Sequence, residues 1–204
     1  MTGDRLGEVL DATYACLTRY GIRRTTVEDI AVAAGMSRTA VYQYVRSKDD
    51  AFRRLAARLH DRCLELAREA SAADGQTGDR IRGVLEAKMN LVLALAGDSP
   101  HTAELLDQKG RLFGDICLRF SDDIHRLLVQ LFDSASVRGV TPVEAADICL
   151  ALVTGLEGSK DPAPLLSAAI GAMLEAWNID PRASGDTKPR GRPTTARVDL
   201  ARPL

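Results

Sequence analysis

Apolar residues along this chain of 204 residues recur mostly three or four positions apart, the spacing that places side chains on one face of an α-helix. Valine and isoleucine are scattered and do not alternate with polar residues for long, so strands are not predicted. The chain is therefore predicted to be all-α, with about nine helices. The clearest periodic run is Phe52, Leu55, Ala56, Leu59, Cys63, Leu66, Ala67 and Ala70.

Start and stop signals divide the N-terminal part into separate helices. The first helix is predicted from about Asp4 to Tyr20, with Gly21 as its C-terminal stop. The next helix opens in TTVE, where the Thr25 side chain is expected to cap the first turn. Glu28 is expected to reach back to the Thr25 amide and complete the capping box.

A more abrupt junction lies in AVAAGMSRTAVYQYV, residues 31–45. Gly35 permits the left-handed backbone that ends one helix, and Ser37 is expected to cap the next. Ser47 and Asp50 of SKDD then open a helix of about 24 residues. Two short helices joined by a glycine-containing turn are typical of the helix-turn-helix, whose second helix lies in the DNA major groove. That second helix carries no acidic residue, as a surface facing phosphates requires.

The run TTVEDIAVAAGMSRTAVYQYVRSKDDAF resembles the TetR family of bacterial regulators, with its pattern T-T-x-x-x-I-A-x-x-A-G-x-S followed by Y-x-Y/H-F-x-x-K. Val45 stands where the family often has phenylalanine, which we interpret as a difference in core packing. The resemblance implies a three-helix helix-turn-helix DNA-binding domain in residues 1–47. It also implies a helical effector-binding and dimerisation domain in residues 48–178, followed by a tail, 179–204, whose composition is typical of disorder.

The second helix of the motif and its neighbours supply the candidate DNA contacts. Arginine suits guanine and glutamine suits adenine in the major groove, so the predicted base readers are Arg38, Thr39 and Gln43. Ser37, the expected cap of this second helix, is also a candidate DNA contact. The predicted phosphate contacts are Thr25, Thr26, Tyr42, Tyr44 and Lys48. The competing interpretation is a capped surface pair of helices that contacts no nucleic acid.

The rest of the chain predicts further helices over about 79–96, 101–108 and 110–136, and two that begin at Thr141–Pro142–Glu144 and at Asp161–Pro162. The last two are rich in alanine and glycine, and the family resemblance implies that they form the interface of a homodimer. It also implies a small-molecule effector of unknown identity. Candidate pocket residues are Met89, Leu93, Phe113, Ile116 and Phe120, for which ordinary core packing is the alternative.

Charge is distributed unevenly along the chain. Residues 1–60 carry 10 Lys and Arg against 7 Asp and Glu, residues 61–178 carry 11 against 18, and residues 179–204 carry 6 against 3. The basic tail contains KPRGRP, which resembles the core of an AT-hook: Lys188, Arg190 and Arg192 supply charge, and Gly191 lets the backbone approach a narrow A·T minor groove. The alternative is a solvated basic tail that matches the motif by chance.

Catalysis and metal or cofactor binding are not predicted. His60, His101 and His125 show no metal-ligand spacing, and no nucleophile elbow or glycine-rich phosphate loop appears. The four cysteines are far apart and are expected to be buried, reduced thiols. The N-terminus does not resemble a signal peptide, and the longest apolar segment, 89–96, is too short to span a membrane. A cytoplasmic protein is expected.

These features together predict a dimeric, sequence-specific transcriptional regulator, most often a repressor in this family, that binds a palindromic operator and is released by a small molecule. Two alternatives stay open. One is an architectural DNA-binding protein of low specificity that depends on its basic tail, and the other is a ligand-binding helical protein without a DNA function.

Overall fold

The structure is a computed structural model that describes residues 4–97, 101 and 109–179. Within those residues all regular secondary structure is α-helical, which confirms the predicted fold class. The short helix predicted for residues 101–108 and the tail from residue 180 onward lie outside the described residues, apart from His101. The helices are α1 (Arg5–Arg24), α2 (Val27–Ala33), α3 (Arg38–Val41), α4 (Lys48–Ala72), α5 (Thr77–Gly97), α6 (Lys109–Leu112), α7 (Gly114–Ala135), α8 (Pro142–Leu156) and α9 (Pro162–Ala176).

The chain divides into two compact units. Among the described residues, the first unit contains 4–62 and those within 91–120, and the second contains 63–90 and 121–179. Helices α4, α5 and α7 therefore each contribute residues to both units.

The N-terminal part of the first unit, residues 4–51, has its own small core, and we call it the head. The apolar residues of α1, α2 and α3 recur at helical spacing, so each helix has one apolar face, and these faces pack together to form this core. Val45 is fully enclosed, which confirms its interpretation as a core residue. The core residues are Val9, Ala12, Cys16, Val27, Ile30, Ala31, Val41, Val45 and Ala51.

The junction between α1 and α2 confirms one prediction and corrects another. Gly21 interrupts α1 with φ 75° and ψ 169°, a conformation that glycine adopts at little cost. The cap of α2 is shifted by one residue: Thr26, not Thr25, accepts a hydrogen bond from the Asp29 amide at 3.2 Å. Asp29, not Glu28, accepts from the Thr26 amide at 2.8 Å. Thr25 is buried, and its hydroxyl donates to the Gly21 carbonyl at 2.7 Å.

The single helix predicted over 110–136 is wrong, because the chain turns at Phe113 between α6 and α7. In an unbroken helix the Leu112 carbonyl would accept from the Ile116 amide. Here the Arg53 guanidinium donates to that carbonyl at 2.9 Å, and the Ile116 amide bonds to the Phe113 carbonyl instead. A contact from a distant part of the sequence therefore satisfies the carbonyl that the break leaves open.

The two helices that end the second unit begin in different ways. Thr141 and Glu144 form the predicted capping box, with the Thr141 amide donating to Glu144 at 2.8 Å. Asp161 adopts φ −143° and ψ 77° and makes no capping hydrogen bond, so the predicted cap of α9 is wrong, although Pro162 begins the helix as predicted. The ring edge of Trp177, just after α9, packs on Phe132 with centroids 5.6 Å apart.

Candidate nucleic-acid interface

The turn between α2 and α3 is built entirely by local hydrogen bonds. Gly35 has φ +63°, in the left-handed region, as predicted. Its amide donates to the Val32 carbonyl at 3.2 Å and the Met36 amide donates to the Ala31 carbonyl at 2.9 Å. This pair of bonds is the Schellman motif, which satisfies the last carbonyls of a helix while the chain reverses. Ser37 then accepts from the Ala40 amide at 3.1 Å, so α3 begins where Ser37 was predicted to cap it.

Residues 38–45, which we call the α3 segment, present a polar face outward because their apolar side chains pack into the head. Val41 and Val45 are buried in the core of the head. Arg38 and Thr39 are exposed in the first turn of α3, and Tyr42 and Gln43 are exposed in the turn that follows it. The structure thus brings all three predicted base readers and Tyr42 to one exposed segment. In a helix-turn-helix the N-terminal residues of the second helix reach the base edges.

Arg38 and Tyr42 contact each other on this surface. The Arg38 Nη2 atom donates to the Tyr42 hydroxyl oxygen at 3.2 Å. The guanidinium carbon lies 5.6 Å from the centroid of the tyrosine ring. The hydrogen bond to Tyr42 raises the pKa of the Arg38 guanidinium above its already high ordinary value, so the group stays charged.

The predicted phosphate contacts are not equally accessible. Thr26 is exposed at the start of α2, whereas the Thr25 side chain is buried and supports the preceding turn. Tyr44 is partly buried and packs against the core of the head. Lys48 is half-buried, and its ammonium donates to the carbonyls of Ile22 and Arg23 at 3.0 and 3.2 Å. Lys48 therefore ties the start of α4 to the end of α1, a structural role that its sequence position did not indicate.

Arg23 and Arg24 are functional candidates that sequence reasoning missed. Both are exposed in the last turn of α1, immediately before the capped start of α2. The unpaired amides at a helix N-terminus carry partial positive charge and favour a bound anion. Positive side chains beside them add to this attraction. The adjacent arginines directly before Thr25 and Thr26 were the available signal.

Four of the predicted effector residues, Met89, Phe113, Ile116 and Phe120, are buried, and Leu93 is partly buried. Leu93, Phe113, Ile116 and Phe120 belong to the first unit and Met89 belongs to the second. The rings of Phe113 and Phe120 both meet the buried His60 ring edge-on, with centroids 6.2 and 5.0 Å away. His60 Nδ1 bonds to the Ala56 carbonyl at 2.7 Å.

Metal sites, membrane-spanning helices and disulfides are absent from the part of the chain that the structure describes. Residues 4–97, 101 and 109–179 contain no cluster of histidine, cysteine and acidic side chains suited to a metal ion. No helix among the same residues is long and apolar enough to cross a membrane. All four cysteines are buried and free of disulfides, as predicted, and burial raises the pKa of Cys63 and of Cys149 to about 12.

The head is a helix-turn-helix of the DNA-binding kind, and comparison with known proteins agrees. Residues 9–55 match the family described as bacterial regulatory proteins of the tetR family, so this segment is a TetR-family N-terminal domain. No curated protein sequence matches the chain.

Solved structures extend the likeness in fold to most of the chain. A transcriptional regulator from Pseudomonas aeruginosa PAO1 superposes with a TM-score of 0.68 at 19% identity, over 86% of this chain and 91% of that one. A complex of SmeT with triclosan gives 0.68 at 20% identity, over 93% and 99%. SmeT, described as the repressor of the Stenotrophomonas maltophilia multidrug efflux pump SmeDEF, gives 0.64 at 22% identity, over 86% and 91%. The chain therefore has the fold and the DNA-binding domain of a TetR-family transcriptional regulator.

Proposed function

We propose that this protein is a cytoplasmic, dimeric repressor that binds a palindromic operator through two copies of α3. The observation that carries the proposal is the surface of the α3 segment. Val41 and Val45 anchor the segment, while Arg38, Thr39 and Gln43 are exposed on it and residues 38–45 contain no acidic side chain. Thr26, Arg23 and Arg24 supply the phosphate contacts beside it, as positioning contacts around a base-reading helix require.

The second copy is expected to dock on α8 and α9. Each helix has an exposed stripe at helical spacing that is apolar and built largely of small residues. Contiguous exposed apolar surface of this kind marks a protein interface. Such a dimer would present two α3 helices to half-sites about 34–36 Å apart. The two exposed stripes consist of Ile148, Ala151 and Gly155 on α8 and of Leu165, Ala168, Ala172 and Ala176 on α9.

A small, largely apolar effector would release the operator. A ligand shifts an equilibrium only by its difference in affinity for the two states, so the effector must prefer the conformer whose heads do not fit the operator. Leu93, Phe113, Ile116 and Phe120 are the proposed lining residues, and all four belong to the first unit. SmeT has been captured with triclosan, which makes triclosan a first probe for release of this protein from DNA.

Lys188, Arg190 and Arg192 are proposed to occupy a minor groove beside the operator, with Gly191 allowing close approach. Truncation after Asp180 would then shorten the footprint and reduce the preference for A·T-rich flanks. Gly191→Val is the sharper variant because it keeps every charge. Equal loss on all flanks after truncation, or unchanged A·T preference in Gly191→Val, would leave only an electrostatic tail, since counterion release carries no sequence information.

Selection of binding sites from random DNA by the full chain, followed by footprinting, tests the main proposal. A repressor of this kind enriches a palindrome and protects it as one block. Diffuse protection without enrichment supports an architectural DNA-binding protein, and no retention of DNA supports a ligand-binding protein without a DNA function. A purified protein that sediments as a monomer would also contradict the proposal.

A further inference from the structure

Arg38 and Tyr42 lie four residues apart, so both side chains emerge on the same face of the α3 segment. The hydrogen bond of 3.2 Å and the ring contact at 5.6 Å hold the guanidinium along the tyrosine. Both residues are exposed, and their contact leaves the rest of the guanidinium open to solvent. The contact therefore forms in the protein alone, before any DNA is bound.

An arginine that reads a base loses rotamer freedom when it binds, and a partner that already restricts the side chain reduces this loss. Guanine is read by two parallel N–H donors that point to its O6 and N7 atoms. Arginine has five N–H donors, and the Tyr42 hydroxyl takes only one of them. Four donors are left, which is enough for the paired contact with one guanine.

The Tyr42 hydroxyl has a second capacity, because a phenol both accepts and donates. While its oxygen accepts from Arg38, its proton can be donated to a phosphate oxygen. A tyrosine placed in this way connects the backbone contact to the base contact. A phosphate contact alone, which the sequence predicted for Tyr42, carries no base preference.

We propose that Tyr42 is a positioning residue for base recognition, holding the Arg38 guanidinium in the orientation that reads a guanine in each half-site. This inference rests on the proposed function, since it concerns the same DNA-facing surface. It goes beyond that function because it assigns the recognition of one base, a guanine, to one pair of residues, Arg38 and Tyr42.

A double-mutant cycle tests the pair, with wild type, Arg38→Ala, Tyr42→Phe and the double variant. The probe is the site that the full chain selects from random DNA, together with versions of it that replace each guanine in turn. Arg38→Ala should reduce discrimination at one guanine by about tenfold to a hundredfold. Tyr42→Phe keeps the ring but loses the acceptor, so it should reduce discrimination severalfold at that same guanine. In the double variant, Tyr42→Phe should add no further loss.

Tyr20→Phe is the matched control, because Tyr20 is another tyrosine of the head that packs against its core and is not among the predicted DNA contacts. It should leave base discrimination unchanged. If Tyr42→Phe weakens binding to every site equally, or if its effect adds fully to that of Arg38→Ala, Tyr42 is a phosphate contact only and the inference is overturned. If the wild-type chain enriches no sequence, the proposed function fails as well, so the two failures are distinguishable.

Discussion

The exposed surface of the α3 segment and the exposed faces of α8 and α9 are both built on helices but present opposite chemistry. Arg38, Thr39 and Gln43 project from the head as donors and acceptors. On α8 and α9 the outward residues include Ile148, 43% exposed, and Leu165, 51% exposed, among alanine and glycine. A polar, acid-free face suits a polyanion with base edges to read, whereas an apolar face of small residues suits another protein surface.

The same local device, a capping box, occurs in the head and at the start of α8. Thr26 with Asp29 caps α2, and Thr141 with Glu144 caps α8, with matching hydrogen-bond lengths of 2.8 and 3.2 Å. Helix formation therefore does not distinguish the two regions. The difference in partner comes from the few side chains that face away from the core, so mutations at those positions should change binding more than stability.

The largest effect is expected from placing charge on the apolar faces. The double change Ile148→Asp and Leu165→Asp should convert the dimer to a monomer, because an interface would have to bury four unpaired carboxylates. Joining two binding modules raises affinity by about 100-fold to 10,000-fold, so operator affinity should fall by at least about 100-fold. Analytical ultracentrifugation and DNA binding measure the two consequences.

Leu118→Asp is the matched control for this change. Leu118 is also an exposed leucine, on α7 within the first unit, and it lies outside the proposed interface. It should leave the dimer and operator binding intact. A dimer that survives the double change on α8 and α9 would show that the second copy docks elsewhere.

The fold was predictable wherever the signal is local. The positions of Gly21, Gly35, Ser37 and the Thr141 capping box follow from residues within four positions along the chain. The break at Phe113 was not predicted, and the Leu112 carbonyl that it leaves open accepts from Arg53, which lies far away in sequence. Periodicity contains no information about such a contact.

The candidate site was predictable as a segment but not residue by residue. Two adjacent threonines can each cap a helix, and only the packing of Thr25 under the α1 turn decides that Thr26 is the exposed one. Lys48 is predicted as a phosphate contact, and the structure adds that its ammonium donates to the carbonyls at the end of α1. The shifted cap and the Lys48 contacts both arise from tertiary packing that the local pattern does not encode.

Removing the two caps sharpens the comparison, since they are equivalent in structure. Thr26→Ala and Thr141→Ala should each lower the free energy of unfolding by about 1 kcal/mol, the usual value of an N-terminal cap. Only Thr26→Ala should also weaken operator binding, because Thr26 starts the helix beside the proposed phosphate contacts. Urea denaturation and DNA titration measure the two quantities. A loss of operator affinity with Thr141→Ala of the same size would contradict the separation of roles.

The turn glycines offer a more specific test. Gly35 and Gly139 have φ +63° and +81°, and a Cβ at either would meet nothing within 4 Å. Alanine should therefore cost about 1 kcal/mol at each position from backbone strain alone. Gly35→Ala should also reduce operator affinity, because it disturbs the angle between α2 and α3. Gly158→Ala is the control, with open space and no positive φ, and should be close to neutral.

The smallest expected effect is on how stability depends on pH, and it should be similar for the two capping boxes. The Thr26 hydroxyl and amide hold the pKa of Asp29 below its ordinary 3.8, and the Thr141 amide and hydroxyl hold that of Glu144 below 4.5. A carboxyl whose pKa is lowered by folding contributes stability above its unfolded pKa, and this contribution is lost as the pH falls toward the folded value. Asp29→Asn and Glu144→Gln should therefore destabilise the protein at about pH 7 more than at about pH 3. Chemical denaturation at the two pH values measures the difference. If either variant lost the same stability at both, the carboxylate would not be the source of the cap's contribution, and the two caps would no longer be equivalent.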